Sequence, residues 1–412
     1  MDEVSEANAA ARTARRTNRR PGCAAEGRAP VVKPAPRHYT AWEVKLQPTP
    51  AQQRTMDRHL RQLQGVWNWA IGRYRWHLDN RTFSEYSLDY DLKGHAEKCG
   101  LSRSELIGIC RRAYLAWKKF LEQKPIAGRK PRPPRLKGRK NRLASFDVPL
   151  DFRVYADERR IRLPRIGRVR FKGPLPADAI KYRKLTVSKT ALGWYCTVVC
   201  EIPQARTVEH GTERLGIDPG YKTWLTLSDG SSYDIDRDRE RRELHRTGQA
   251  QRGGKKRLAA RIAQRRMNRR SHAAKCVAKQ IVKRAEFIAW SDDNVRGLFR
   301  MFGKSAGFAA HAQVRGAIER QARLGNVRFL RVPSRLSTRA CSACGSLSGP
   351  AGYAGLKVRQ WVCRDCGVAH ERDVNAARNS LLLAESLGSK MLKAPVLGSA
   401  NMPRDVGRAR SV

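Results

Sequence analysis

The sequence predicts a multidomain α/β protein that also carries a barrel of short strands. Three observations carry that prediction. Residues 143–205 break into short alternating runs separated by turn residues, the pattern of a barrel or sandwich. Further on, the stretch Leu215–Gly230 reads as strand, tight turn at Pro219-Gly220, and strand, and it is followed by alternating helix and strand patterns. Near the C-terminal end, Cys341-Ser-Ala-Cys344 and Cys363-Arg-Asp-Cys366 form two knuckles with 18 residues between them.

The bulk numbers limit the function. The chain has 412 residues, long enough for two or three domains, and an ordinary hydrophobic content of 41%. Its 84 Lys and Arg stand against 37 Asp and Glu, a net charge of +47. The cations are spread along the whole length, so the chain repels itself unless a polyanion neutralises it. Nucleic acid fits that requirement best. No apolar run reaches the ~18 residues of a membrane span, and no signal peptide is visible. Cys23, Cys99, Cys110, Cys196, Cys200 and Cys276 are scattered and read as reduced, mostly buried thiols, which places the protein in a reducing, cytoplasmic compartment.

Taken in order, residues 1–37 are rich in Ala, Arg and Pro and read as a disordered basic tail. His38–Leu46 alternates as a strand. Thr49 then caps a helix that begins at Pro50. From Ala51 to Leu78 the apolar spacing is helical, with Arg54, Arg58, Arg61, Arg73 and Arg75 interleaved. Trp67, Trp69, Tyr74 and Trp76 either stack on bases or fill a core, and core is the commoner use of such a stripe. Ser102–Leu121 is a second helix, and Lys124–Arg142 a basic linker. Strands resume at Phe152, and Gly167–Gly173 puts Arg168, Arg170 and Lys172 on one face. Arg237–Arg270 is densely basic, with Leu258, Ile262 and Met267 marking an amphipathic helix. Phe287–Trp290 is a buried strand, Gly307–Leu324 a helix and Val327–Val332 a strand.

Two motifs carry chemistry. Four paired thiolates suit tetrahedral zinc, and a closed all-cysteine site is structural. The catalytic candidates are therefore carboxylates. Asp218 ends an apolar strand, where a carboxylate is costly unless it meets a cation or donor. Asp373 opens the helix Val374–Ala384. Each has a plain alternative use, as a turn aspartate and as a helix cap.

The short motifs Lys45–Gln53, Trp67-Asn-Trp69, Leu163–Val169, Gly216-Ile-Asp-Pro-Gly220, Asn294–Leu298, Thr338–Gly345 and Arg372–Asn379 occur in a characteristic order. Together they resemble the TnpB proteins of insertion sequences and the compact type V CRISPR effectors. The resemblance implies a split wedge β-barrel (38–48 and 134–210) and an inserted helical recognition lobe with its linker (49–133). It also implies an RNase H-like, RuvC-type nuclease domain (211–337 and 368–389) holding a zinc ribbon (338–367), and a flexible tail (390–412). It implies an RNA-guided DNA endonuclease working with Mg²⁺ or Mn²⁺, a guide RNA and double-stranded target DNA as partners, and no membrane. The chain would act as a monomer or dimer, with Arg54, Arg58, Arg61, Trp67, Arg73, Arg168, Arg170 and Lys172 on nucleic acid. Asp218 and Asp373 take the places of the first and third acids. The second acid, a Glu three residues before Asn294 in the family, is Ser291 here. Glu319 is the favoured substitute. Asp293 shares a strand face with Ser291, and Asp292 points the other way if the strand continues. A protein that binds DNA without cutting is the alternative, and a generic basic zinc-ribbon protein a remote one.

Overall fold

The computed structural model describes residues 37–393 apart from 90, 93–99, 124–130, 140, 149–151, 205, 293–309, 335 and 352–353. Asp293, Cys23 and Cys99 lie outside the described residues. So does the Asn294–Leu298 motif.

The first sheet has seven strands: β1 (His38–Gln47), β2 (Ser145–Val148), β3 (Arg153–Tyr155), β4 (Arg160–Leu163), β5 (Gly167–Lys172), β6 (Lys181–Thr190) and β7 (Gly193–Ile202). Their order is β2-β6-β7-β1-β5-β4-β3, so the N-terminal strand sits in the middle of strands from the second stretch. Strict alternation builds its core: Trp194, Cys196, Val198, Cys200 and Ile202 of β7 all point inward. Burial pushes the Cys196 thiol up to about 12 and the Cys200 thiol to about 11. A barrel was expected; the sheet instead ends on β2 and β3, with no ladder joining them among the described residues. A helix covers the β2 side, where the Arg112 guanidinium donates to the Ser145 carbonyl (2.8 Å) and hydroxyl (3.1 Å).

Helices α1 (Pro50–Asp79) and α2 (Arg103–Glu122) pack on this sheet and share its core. Each begins with a capping box, Thr49 with Gln52 and Ser102 with Glu105. Trp117 donates its indole N–H to the Ile71 carbonyl at 3.2 Å, locking the two helices together. Trp67, expected on nucleic acid, is buried in this core and donates to the Arg135 carbonyl at 3.3 Å. Its large apolar area is worth more inside than on a base.

The second sheet has the order β10-β9-β8-β11-β12. It comprises β8 (Glu213–Pro219), β9 (Leu225–Leu227), β10 (Ser232–Tyr233), β11 (Ala285–Asp292) and β12 (Arg328–Pro333). Strands β8, β11 and β12 run parallel; β9 and β10 are antiparallel. Helices α3 (Arg237–Arg252), α4 (Lys256–Arg284) and α5 (His311–Leu324) precede and follow β11. Helix α6 (Arg372–Lys393) comes after a small ribbon of β13 (Gln360–Val362) and β14 (Ala369–Glu371). Leu215, Ile217, Ile288 and Trp290 face α4 and α5, while Phe287, Ala289 and Val332 face α6. The basic stretch breaks at Gly253-Gly254, where Gly254 takes φ +69°. Leu258 and Met267, expected to pack inward, are 46% and 54% exposed. The α3–α4 hairpin is held by charge instead: Glu240 meets Arg266 and Arg270, and Glu243 meets Arg269. Among the described residues no helix is long and apolar enough to cross a membrane.

Gly216 of β8 is the tight point of this domain. A Cβ there would overlap the Ala377 carbonyl of α6 and stand 3.1 Å from the Leu381 side chain. Gly216→Ala is expected to cost about 3 kcal/mol in denaturant melts, because neither backbone can yield cheaply. Gly72→Ala, in open space on α1, is expected to gain up to ~1 kcal/mol in the same melts.

Candidate active site and nucleic-acid interface

Strand β8 and helix α6 bring the two sequence-predicted acids to one end. Arg214 pairs with Glu385 at 3.2 Å, and Gly216 abuts Ala377 and Leu381. The contacts run in opposite directions along the two elements, so the next step carries Asp373 toward Asp218. Because β8 alternates, Gly216 and Asp218 face α6, whereas Leu215 and Ile217 face α4 and α5. Behind Asp218, the buried His311 ring holds the Gly220 carbonyl at 2.9 Å. Burial lowers the His311 pKa, although that hydrogen bond opposes the shift. A neutral ring is what this site keeps.

Asp373 is engaged. Arg359, just before β13, donates from one Nη1 to both carboxylate oxygens at 3.1 and 3.0 Å. Ser291 follows Trp290, which pairs with Ile217 in the parallel β8–β11 ladder. It therefore stands beside Asp218 and on the same face. It is fully buried, and its Oγ has no hydrogen-bond partner among the described residues. Asp292 points to the other face, where Arg315 (2.8 Å) and Arg331 hold it. Glu319 belongs to that other layer too, on α5, 3.8 Å from Arg315. The strand separates both residues from Asp373, so neither replaces the missing acid in this arrangement.

Among the described residues, one set of three or more Cys, His, Asp or Glu side chains has ligand atoms within 4.8 Å of one another: Cys341, Cys344, Cys363 and Cys366. Asp218, Asp373 and Glu319 are not drawn together in that way. Zinc fits the cysteines well. The Cys341–Cys366 and Cys344–Cys363 sulfurs are 3.6 and 3.7 Å apart, and tetrahedral Zn–S bonds of ~2.3 Å require about 3.8 Å. Ser348 donates to Cys363 at 3.1 Å and draws that thiol down to about 6. His370 Nε2, buried, lies 3.0 Å from the Cys341 sulfur. The sequence reading missed two further parts of this centre, Asn375 and Asn379. Asn375 accepts from the Ser342 N–H (2.9 Å) and donates to the Ser337 and Ala340 carbonyls (3.3 and 2.7 Å). Asn379 donates to the same two carbonyls, both at 2.7 Å. These amides bolt the first knuckle onto the helix that carries Asp373.

The basic surfaces are more extensive than their motifs. On the first sheet Arg160 lies opposite Arg170, Arg162 opposite Arg168, Arg153 opposite Arg162, and Lys45 opposite Lys172. Like charges placed directly across strands destabilise a sheet, and Glu158 alone meets two of them, at 3.6 and 3.8 Å. Arg168, Arg170 and Lys172 were legible from alternation, but their cross-strand partners were not. Arg54, Arg58 and Arg61 form an exposed stripe on α1. Arg73 is instead tied to Asp91 at 2.9 Å and stacked on Trp76. A cleft of about 730 Å³ opens between Lys45, Lys189 and Tyr195 on one side and Arg257, Arg261 and Arg265 on the other. Those three arginines, at every fourth position, have no ion pair among the described residues.

Comparison with known proteins agrees with these features. Residues 311–380 match the family described as "Cas12f1-like, TNB domain", a span that holds α5, the ribbon and Asp373. A protein of Streptomyces pristinaespiralis named "Putative RNA-guided DNA endonuclease" is 32% identical over 232 residues, covering 52% of this chain and 55% of that protein. The chain thus spans about half the length of the curated relative it matches. A solved structure, "Cryo-EM structure of the Cas12f1-sgRNA-target DNA complex", overlays 80% of this chain on 82% of that one at 13% identity and TM-score 0.49. The family match and the relative support the resemblance to TnpB proteins and compact type V effectors.

Asn375→Ala removes three hydrogen bonds and strands the Ser342 N–H, while Asn379 still serves the Ser337 and Ala340 carbonyls. It is expected to cost about 2–3 kcal/mol and to speed zinc release to a chelator at least tenfold, followed with a metal-sensitive dye.

Proposed function

We propose that this chain is the protein component of an RNA-guided DNA endonuclease. One observation carries the reading: β8 and α6 direct Asp218 and Asp373 to one end of a sheet whose helix is bolted to a four-cysteine ribbon. A generic basic zinc-ribbon protein has no use for that convergence. Base pairing by the guide reads the target sequence, and the chain's own task is to hold phosphates and open strands. The crowded cations of β3, β4 and β5 grip the backbone of the RNA scaffold, and the α1 stripe lies free for target duplex. A divalent ion, when bound, would polarise a phosphodiester for attack by water. His311 holds the Gly220 turn, and with it the end of strand β8. The ribbon, through Asn375 and Asn379, fixes the start of α6.

A second reading, DNA binding without cutting, is favoured by Ser291. The neutral hydroxyl stands where the resemblance expects a carboxylate, and among the described residues Asp292 and Glu319 lie beside Arg315 on the opposite layer.

Purified protein, loaded with its guide, is expected to cut a matched plasmid in Mg²⁺ or Mn²⁺, with at least a hundredfold loss in Asp218→Ala. Tight guide-dependent binding with no cutting in either ion would replace the first reading with the second. Reversing Arg162 and Arg168 to Glu is expected to weaken binding of the guide RNA and flatten its salt dependence by about four contacts' worth, two lost and two made repulsive. An unchanged slope in filter binding would remove that face from the interface.

A further inference from the structure

The two buried sulfurs of the cysteine clip each meet a side-chain donor. Cys341 and Cys363 are both 1% exposed, whereas Cys344 and Cys366 are open to solvent. Four thiolates around one divalent ion leave two net negative charges. Water solvates that charge at the exposed pair but not at the buried pair, where it is costly without donors. At Cys363 the donor is the Ser348 hydroxyl, 3.1 Å away. At Cys341 it is the His370 ring, 4% exposed, whose Nε2 lies 3.0 Å from the sulfur. His370 stands outside the ligand set: among the described residues, the ligand atoms that all fall within 4.8 Å of one another are the four sulfurs, without the imidazole. A metal-bound thiolate has no proton to give, so the ring must present Nε2–H to it. Its Nδ1 is buried with no hydrogen-bond partner among the described residues, so no bond fixes the ring from behind. Trp361, its cross-strand neighbour, orients it instead, with ring centroids 4.6 Å apart and planes inclined by 34°.

We propose that His370 donates its Nε2–H to the Cys341 thiolate and so holds the metal in the ribbon, as a positioning residue and not as a ligand. The proposal rests on the zinc reading of the four cysteines and not on the nuclease reading. Removing a donor to a ligating atom costs roughly 10- to 100-fold in metal affinity. The place of His370 in the chain gives the bond a second consequence. It belongs to β14, three residues before Asp373, and β14 runs directly into α6. The bond therefore ties the charge of the clip to the start of that helix. It does so independently of the Asn375 and Asn379 amides, which grip backbone and not sulfur.

Co²⁺ in place of zinc provides the test, because its absorption reads both the number and the electron richness of the sulfurs bound to it. The full chain loaded with Co²⁺ is expected to show a tetrahedral four-sulfur spectrum. His370→Phe keeps a ring against Trp361 and removes the donor. It is expected to move the sulfur-to-cobalt charge-transfer band to longer wavelength and to speed zinc release to a chelator about tenfold. His370→Gln, which offers an amide N–H near the same point, is expected to return the band and to bring release within about threefold of the natural chain. A Phe variant with an unmoved band and unchanged release would overturn the proposal and leave the ring a packing residue. A natural chain whose spectrum shows three sulfurs and one nitrogen would overturn it too, by making His370 a ligand. If the Phe variant does not load cobalt, His370→Gln decides alone: a band at the natural position supports the donor, and a shifted one overturns it. A natural chain that takes up no cobalt would overturn the zinc reading itself, a result distinct from the others.

Discussion

Helix α6 lies so close on strand β8 that no side chain fits between them at Gly216. Much of the second domain follows from that contact. It sets the depth and the antiparallel direction of the helix, and so carries Asp373 toward Asp218 across 154 residues of intervening chain. It also sets where the ribbon sits, because Asn375 and Asn379 reach back from the same helix to the Cys341 knuckle. An isolated helix start is a poor place to hold a carboxylate. Packed against a glycine and bolted to a metal-ready clip, it becomes a rigid one.

Charge in this protein is divided between two uses. Some arginines are satisfied internally: Arg266, Arg269 and Arg270 against α3, Arg73 against Asp91, Arg315 and Arg331 against Asp292. Others are left crowded against each other or facing open space, as on β3–β5 and along Arg257, Arg261 and Arg265. The first group supports the fold. The second works against it, by self-repulsion. That division explains how one chain holds a net charge of +47 and still forms two ordered cores.

Much of this was legible in the sequence for local reasons. The caps at Thr49 and Ser102, the alternation of β5 and β7, and the Asp218 hairpin are each encoded within a few residues. The cysteine knuckles are equally local, since four thiolates at that spacing have few other uses. Where reading failed, the cause lay in partners far apart in the chain. Leu258 and Met267 kept helical spacing but stay exposed, while Arg266, Arg269 and Arg270 of the same helix meet the glutamates of α3. Trp67 had an aromatic's two possible uses, and the neighbouring helix α2 and the basic linker decided for burial. Among the described residues no ladder joins β2 to β3, and a helix meets the β2 edge.

The sequence by itself determined most of the elements, the four-cysteine clip, the excess of positive charge and where the two candidate acids stand in the chain, because each depends on residue type and short spacing. Only the tertiary structure decided which face each acid points to and what it meets there. Strand alternation put Ser291 beside Asp218 and sent Asp292 to the opposite layer, where helix α5 also holds Glu319. The fold then brought Arg359 onto Asp373. No local pattern specifies such meetings, since they depend on how sheets and helices stack and not on neighbours along the chain.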